Sequence, residues 1–377
     1  MKTRAAILET IGLPAPYAQS LPLKIREVEL DEPGAGEVLI RIRAAGLCHS
    51  DLSVISGNRP RPVPMAIGHE SAAEVVRCGP GVTDLAPGDR VVMVFMPSCG
   101  CCAPCSEGRP ALCEPGAVAN GAGTLLSGQR RLHLNGQDVH HHLGVSCFAE
   151  HAVVSRRSCV KIDFTEEQLS HAEAALFGCA VLTGAGAVIN TARVQAGQSV
   201  AVLGLGGVGF SSLLAALAAG ARDVVAIDLS DAKLQLAKSL GATATVNAGA
   251  ADAAEQVRAI TKGGVDFAFE MAGAIPALEL AWKITRRGGS TVTAGLPHPD
   301  KRFQLPPVQM VAEERTLRGS YIGSAVPSRD IPRYIELYKR GRLPVDRLMG
   351  EKLTLDEINR GFDRLATGQS LRDVVIF

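Results

Sequence analysis

A chain of 377 residues exceeds what one hydrophobic core usually serves, so two domains are expected. Its 46% hydrophobic and 20% charged residues are those of an ordinary soluble globular protein. A net charge of +1, from 39 basic and 38 acidic residues with no long run of either sign, argues against nucleic-acid and polybasic membrane-binding roles.

The N-terminal stretch from Met1 to Glu9 lacks the apolar core of a signal peptide, and no segment reads as bilayer-spanning, so the cytoplasm is the expected location. Residues 1 to about 110 carry short β-type runs at 24–30, 38–44, 71–77 and 90–94. Turns such as Glu32-Pro33-Gly34 and Ala86-Pro87-Gly88-Asp89 separate them, which predicts a compact, barrel-like β unit. Residues 99–145, rich in Gly, Arg and His, read as an extended loop region. From about 180 to 320 apolar strands alternate with Ala/Leu helices, the rhythm of a doubly wound parallel sheet. Strands are predicted at 200–203, 224–228, 244–247, 265–270 and 290–294. The segment 324–377 returns to a mixed pattern, and its apolar run 373–377 is expected to pair back on the first domain.

Ten cysteines in a chain assigned to a reducing compartment point to metal or thiol chemistry. The spacing Cys99-x2-Cys102-x2-Cys105-x7-Cys113 supplies four thiolates, a closed tetrahedral shell for a structural zinc. Cys101 is left out, because a ligand immediately beside Cys102 breaks the spacing. Cys48, His69 and Cys179 are dispersed; two thiolates and an imidazole would make a zinc site with its fourth position open, but spacing does not show that the three converge.

The apolar run ending in Gly204-Leu205-Gly206-Gly207-Val208-Gly209 sits between a predicted strand at 198–203 and a helix at 210–219. In such a unit the first glycine permits a tight turn, the second admits a pyrophosphate, and the third lets helix and strand approach closely. Asp228, at the end of the next strand, would accept hydrogen bonds from the adenosine ribose and repel a 2′-phosphate. Leu229 and Ser230 offer no arginine for such a phosphate, so NAD is the expected cofactor.

Several motifs follow one another in order: Gly46-Leu47-Cys48-His49-Ser50-Asp51, Gly68-His69-Glu70, the four-cysteine lobe at about 97–115, Gly178-Cys179, the glycine motif with Asp228, and Leu371-Arg372. Over nearly its whole length the chain resembles the zinc-dependent medium-chain alcohol dehydrogenases. The long segment between Cys113 and Cys179 matches the extended form, which includes the dimeric alcohol dehydrogenases and glutathione-dependent formaldehyde dehydrogenase. The resemblance implies a GroES-like catalytic domain from 1–180 and 324–377 and a Rossmann domain at 181–323. It also implies two zinc ions per subunit and an oxidoreductase acting on a small primary or aromatic alcohol or its aldehyde. A homodimer through Rossmann edge strands is expected, with a tetramer as the alternative; neither nucleic acid nor membrane is expected as a partner.

Residue by residue, the resemblance makes Cys48, His69 and Cys179 the catalytic zinc ligands, with Glu70 behind the metal and Asp51 orienting His69. Ser50 would take the proton of a zinc-bound alcohol and pass it toward the cofactor ribose. Ser53 stands where many relatives have the histidine that ends this relay, so water or His49 would complete it. His49 and Arg372 match pyrophosphate contacts, Lys233 a ribose contact, and Thr183, Gly204, Gly206, Gly207, Val208 and Gly209 the remaining cofactor contacts. Phe95, His142, Leu143, Leu296 and Tyr321 match the substrate channel. The run His140-His141-His142 is not read as a metal tract, since three consecutive side chains cannot face one ion on a regular element. Two alternatives stand beside this reading: a formaldehyde-adduct dehydrogenase, and a non-catalytic zinc- and dinucleotide-binding protein.

Overall fold

Strand Glu37–Gly46 is the hub of the first half of the structure, a computed structural model describing residues 1–377. Its apolar residues Val38, Leu39, Ile40 and Ile42 are buried on both faces, as expected of a strand with packed layers above and below. It pairs antiparallel with Ser71–Cys78, His151–Ser155 and Val374–Ile376, and Arg90–Met93 and Cys159–Lys161 extend the sheet beyond Ser71–Cys78. A second, closed sheet runs through Lys2–Leu8, Leu23–Leu30, Leu132–Leu134, Gln137–His141 and Met65–Ala66. Phe148 and Phe362 meet edge to face in the core, with ring centroids 5.9 Å apart. This unit comprises residues 1–179, 326–332 and 346–377.

The other unit, residues 180–325 and 333–345, is built on six parallel strands. Their order is Ala244–Asn247, Asp223–Asp228, Ser199–Leu203, Val265–Glu270, Thr285–Thr293 and Thr316–Gly319, a Rossmann arrangement. Helix Gly207–Ala218 follows the central strand, and its Phe210, Leu213, Leu214 and Ala215 are all buried. No single helix in the chain is long and apolar enough to cross a membrane.

The expected loop at 99–145 is corrected by the structure. Residues Glu114–Ala122 form a helix that carries Pro115 in its first turn and ends on Gly123 in the left-handed conformation. Strands Leu132–Leu134 and Gln137–His141 form a hairpin across Asn135-Gly136, whose φ angles are 53° and 75°. Positive φ at both turn residues suits the twist of a two-residue hairpin, and Asn-Gly is its strongest local signal. The sparse apolar pattern on the flanking residues hid it.

Candidate metal and cofactor sites

Three separate pieces of backbone converge in the first unit. Cys48 caps helix His49–Ile55 just after the hub strand, His69 immediately precedes Ser71–Cys78, and Cys179 ends the turn Leu176–Gly178. One ligand atom from each of Cys48, His69, Glu70 and Cys179 lies within 4.8 Å of all the others, and the four residues are buried. His69 Nε2 is 3.4 Å from Cys179 Sγ. Zinc–nitrogen and zinc–sulfur bonds at a tetrahedral angle would set that separation at about 3.6 Å. The donor set therefore fits zinc.

The contact with the Cys179 thiol, ahead of opposing burial, holds the Cys48 thiol well below the ordinary thiol range, and the same contact pushes Cys179 up. Asp51 Oδ1, fully buried, lies 2.9 Å from His69 Nδ1, which turns Nε2 toward the two sulfurs. It also lies 3.1 Å from His142 Nδ1. The His69 ring meets Phe95 and His142 edge-on at 5.3 and 5.5 Å.

Glu70 and Arg372 form a buried pair next to these groups. Arg372 Nη1 donates to Glu70 Oε2 at 3.2 Å and to the Leu47 carbonyl at 2.9 Å, whereas Glu70 Oε1 has no hydrogen-bond partner. Burial pushes the Glu70 carboxyl up to about 7 against the pull of Arg372, while Glu70 holds the arginine protonated against its own burial. We read the pair as charged, because a guanidinium keeps its proton and needs the counter-charge.

The second cysteine group is Cys99, Cys102, Cys105 and Cys113, again with all ligand atoms within 4.8 Å. Backbone N–H groups of Cys101 and Cys102 donate to Cys99 Sγ at 3.4 and 3.3 Å, and those of Cys99 and Gly116 donate to Cys113 Sγ at 3.2 and 3.4 Å. The donations from Cys101 and Cys102 lower the Cys99 thiol to about 6. Four unlinked thiols with amides aimed at their sulfurs are the chemistry of a closed zinc site.

In the second unit the glycine motif makes the turn from Ser199–Leu203 into Gly207–Ala218. A Cβ on Gly209 would lie 1.9 Å from the Gly204 carbonyl oxygen, so packing demands glycine there. A Cβ on Gly206 would meet no protein atom within 4 Å. The open space at the helix N-terminus fits a pyrophosphate. Asp228 ends its strand half-buried, accepting from Leu205 N–H at 2.6 Å and Ser230 N–H at 2.9 Å. Lys233 and Thr183 are half-buried in helices Asp231–Ser239 and Ala180–Gly186 of the same unit. Leu296 and Tyr321 also belong to it, both exposed.

The remaining predicted residues lie in the first unit. His49 is exposed and Ser50 half-buried at the start of helix His49–Ile55. Ser53 Oγ donates to the His49 carbonyl at 2.8 Å. Leu143 is buried at a φ of 52°. The three consecutive histidines part company: Arg130 Nε donates to His140 at 3.2 Å, Arg131 N–H donates to His141 Nε2 at 3.1 Å, and His142 faces Asp51.

Comparison with known proteins places this arrangement. Residues 34–164 match the alcohol dehydrogenase GroES-like domain, and residues 207–340 match the zinc-binding dehydrogenase domain. The chain is 34% identical to S-(hydroxymethyl)glutathione dehydrogenase of Paracoccus denitrificans over 387 aligned positions, covering all of both chains. Among solved structures it resembles benzyl alcohol dehydrogenase from Acinetobacter calcoaceticus with a TM-score of 0.91 and 31% identity, over 100% of this chain and 99% of that one. An alcohol dehydrogenase zinc-binding domain protein from Burkholderia ambifaria gives a TM-score of 0.92 at 33% identity, with the same coverage. The chain belongs to the zinc-dependent medium-chain alcohol dehydrogenase family. It is an oxidoreductase acting on alcohols, with zinc and a dinucleotide as its cofactors.

Two features of this dehydrogenase were not foreseen from its sequence: the ion pair of Arg372 with Glu70, and the second contact of Asp51 to His142. Leu371-Arg372 and Glu70 were each visible as motif residues, but 302 positions separate the two charges, and no local pattern pairs them.

Proposed function

We propose that this enzyme interconverts a primary or aromatic alcohol and its aldehyde with NAD, using one catalytic and one structural zinc per chain. The observation that carries the reading is the convergence of Cys48, His69 and Cys179 within 4.8 Å, buried and backed by Asp51. When bound, zinc supplies Lewis acidity to the substrate oxygen and NAD supplies the hydride acceptor. Cys48, His69 and Cys179 would hold the metal, while Asp51 holds His69 in the tautomer that presents Nε2 to it.

Ser50 Oγ accepts the alcohol's proton and hands it on. Ser53 Oγ donates to the His49 carbonyl of its own helix, and the onward transfer to solvent is assigned to water. Phe95 packs against His69 and with Leu143 forms an apolar wall, consistent with an aromatic substrate; His142 adds a polar edge. Asp228 selects NAD, with Lys233 beside the ribose and His49, Thr183 and Arg372 contributing to cofactor binding. Cys99, Cys102, Cys105 and Cys113 hold the structural zinc.

The enzyme is proposed to be a cytoplasmic homodimer. Strand Thr316–Gly319 lies at the edge of the parallel sheet, near Val308 and Val311 in sequence, both strongly exposed. A second copy paired at that edge would cover them.

The test compares benzyl alcohol, hexanol and S-hydroxymethylglutathione with NAD and with NADP, alongside zinc content and solution mass. Turnover of benzyl alcohol or hexanol with NAD and two zinc ions per chain is the expected result. Turnover of the glutathione adduct alone, which the likeness to the Paracoccus enzyme makes the competing outcome, would overturn the substrate assignment.

A further inference from the structure

The cysteine lobe contains one thiol more than a closed tetrahedral site uses. Cys101 is the exposed member of the ten cysteines and stands outside the quartet of Cys99, Cys102, Cys105 and Cys113. Its Sγ nevertheless lies 3.7 Å from Cys99 Sγ, with the Cys101 thiol donating to that sulfur. Gly100 between them has a φ of 82°, a left-handed turn that folds two side chains two residues apart toward each other. The Cys99 sulfur accepts the Cys101 and Cys102 backbone N–H groups, which hold it beside the Cys101 thiol. The exposure of Cys101 gives small solutes access to the pair.

We propose that Cys99 and Cys101 form a peroxide-sensitive pair whose oxidation withdraws one thiolate from the lobe and releases its zinc. The proposal rests on the four-thiolate reading of the lobe. In the first step the sulfur of the exposed Cys101 thiol attacks one oxygen of hydrogen peroxide. The O–O bond breaks, Cys101 becomes a sulfenic acid, and the departing hydroxide takes up the thiol's proton as water. The Cys99 thiolate then attacks the Cys101 sulfur. The S–O bond breaks, hydroxide leaves and is protonated by solvent, and a Cys99–Cys101 disulfide forms. Two sulfurs have given up two electrons, and one peroxide has become two waters. With three thiolates left, the lobe holds zinc weakly. The small ring closed by this linkage is exposed and readily reopened by a thiol reductant, so the change is reversible.

The holoenzyme is first assayed for zinc, then treated with hydrogen peroxide while a chromogenic chelator follows metal release and peptide mass spectrometry maps linkages. The expected result is a Cys99–Cys101 linkage appearing together with one released zinc, both reversed by dithiothreitol and zinc. In Cys101→Ser, an exposed substitution outside the quartet, zinc release should be about tenfold slower. Equal release rates in the two proteins, or release without that linkage, would overturn the proposal. One zinc per chain before treatment would overturn the four-thiolate reading instead, a failure that the initial assay separates from failure of the thiol exchange.

Discussion

Arg372 and Glu70 face each other at 3.2 Å, the arginine 4% exposed and the glutamate fully buried. A guanidinium in such a place depends on the carboxylate beside it. Removing one partner of a buried pair leaves the other uncompensated, at a cost of about 3–5 kcal/mol. Glu70→Gln keeps an acceptor for Arg372 but not the charge, so a loss near the lower end, about 3 kcal/mol, is expected in urea unfolding. A variant as stable as its parent would mean that the Glu70 carboxyl is protonated in the folded protein.

Asp51 Oδ1 is hydrogen-bonded to His69 at 2.9 Å and lies 3.1 Å from His142 Nδ1. Asp51→Asn removes the charge that fixes His69 for ligation. Loss of such an outer partner lowers metal affinity by about 10–100-fold, which chelator competition on the intact protein would measure. The zinc of the cysteine lobe should be unaffected. Parallel weakening of both metals would point to general unfolding.

Asp228 holds the glycine turn through the Leu205 and Ser230 amides while presenting its charge at the strand end. Asp228→Asn keeps an acceptor for one of those two amides, gives up the other hydrogen bond, and removes the repulsion of a 2′-phosphate. The preference for NAD over NADP, measured as the ratio of kcat/KM values, should fall at least about tenfold, equivalent to about 1.4 kcal/mol. An unchanged ratio would remove Asp228 from cofactor selection.

His141 is fully buried, and burial, aided by Arg130 and Arg131, pushes its imidazole down to about 3. An unfolded histidine titrates near pH 6.5. Between those limits the unfolded chain binds a proton that the folded chain refuses, so stability falls as the pH is lowered. The slope from this one group reaches about 1.4 kcal/mol per pH unit. His141→Gln retains an acceptor for the Arg131 amide and should show a shallower decline in urea unfolding between about pH 6.5 and 4.5. Identical slopes would assign the acid sensitivity to other groups.

The parallel-sheet half was largely legible in the sequence because several of its strands are short and mostly apolar and its turn carries glycine spacing. Strands Asp223–Asp228, Ala244–Asn247 and Val265–Glu270 lie within a residue of where the pattern puts them. The hairpin around Asn135 was missed because Leu132–Leu134 and Gln137–His141 mix His, Gln and Asp with few apolar residues, and a partly buried sheet tolerates that mixture. In the candidate site, residue types were readable and distances were not. Cys48, His69 and Cys179 were suggested as a set by resemblance, whereas the contacts of Asp51 with His142 and of Glu70 with Arg372 depend on tertiary folding alone.

The discontinuity of the first unit also sets an order in time. Cys48, His69 and Cys179 are all translated before the parallel-sheet unit begins, but Arg372 and strand Val374–Ile376 come only after it. At ordinary elongation rates the interval is on the order of ten seconds or more. During that interval the emerging chain already carries its three candidate metal donors and the Glu70 carboxylate without the cation that answers it. The hub strand likewise waits with its Ala44–Gly46 end unpaired on one side until the segment containing Val374–Ile376 arrives. The site is thus completed by a late addition, and a ribosome stalled between the two segments would present the ligands without their neutralising partner.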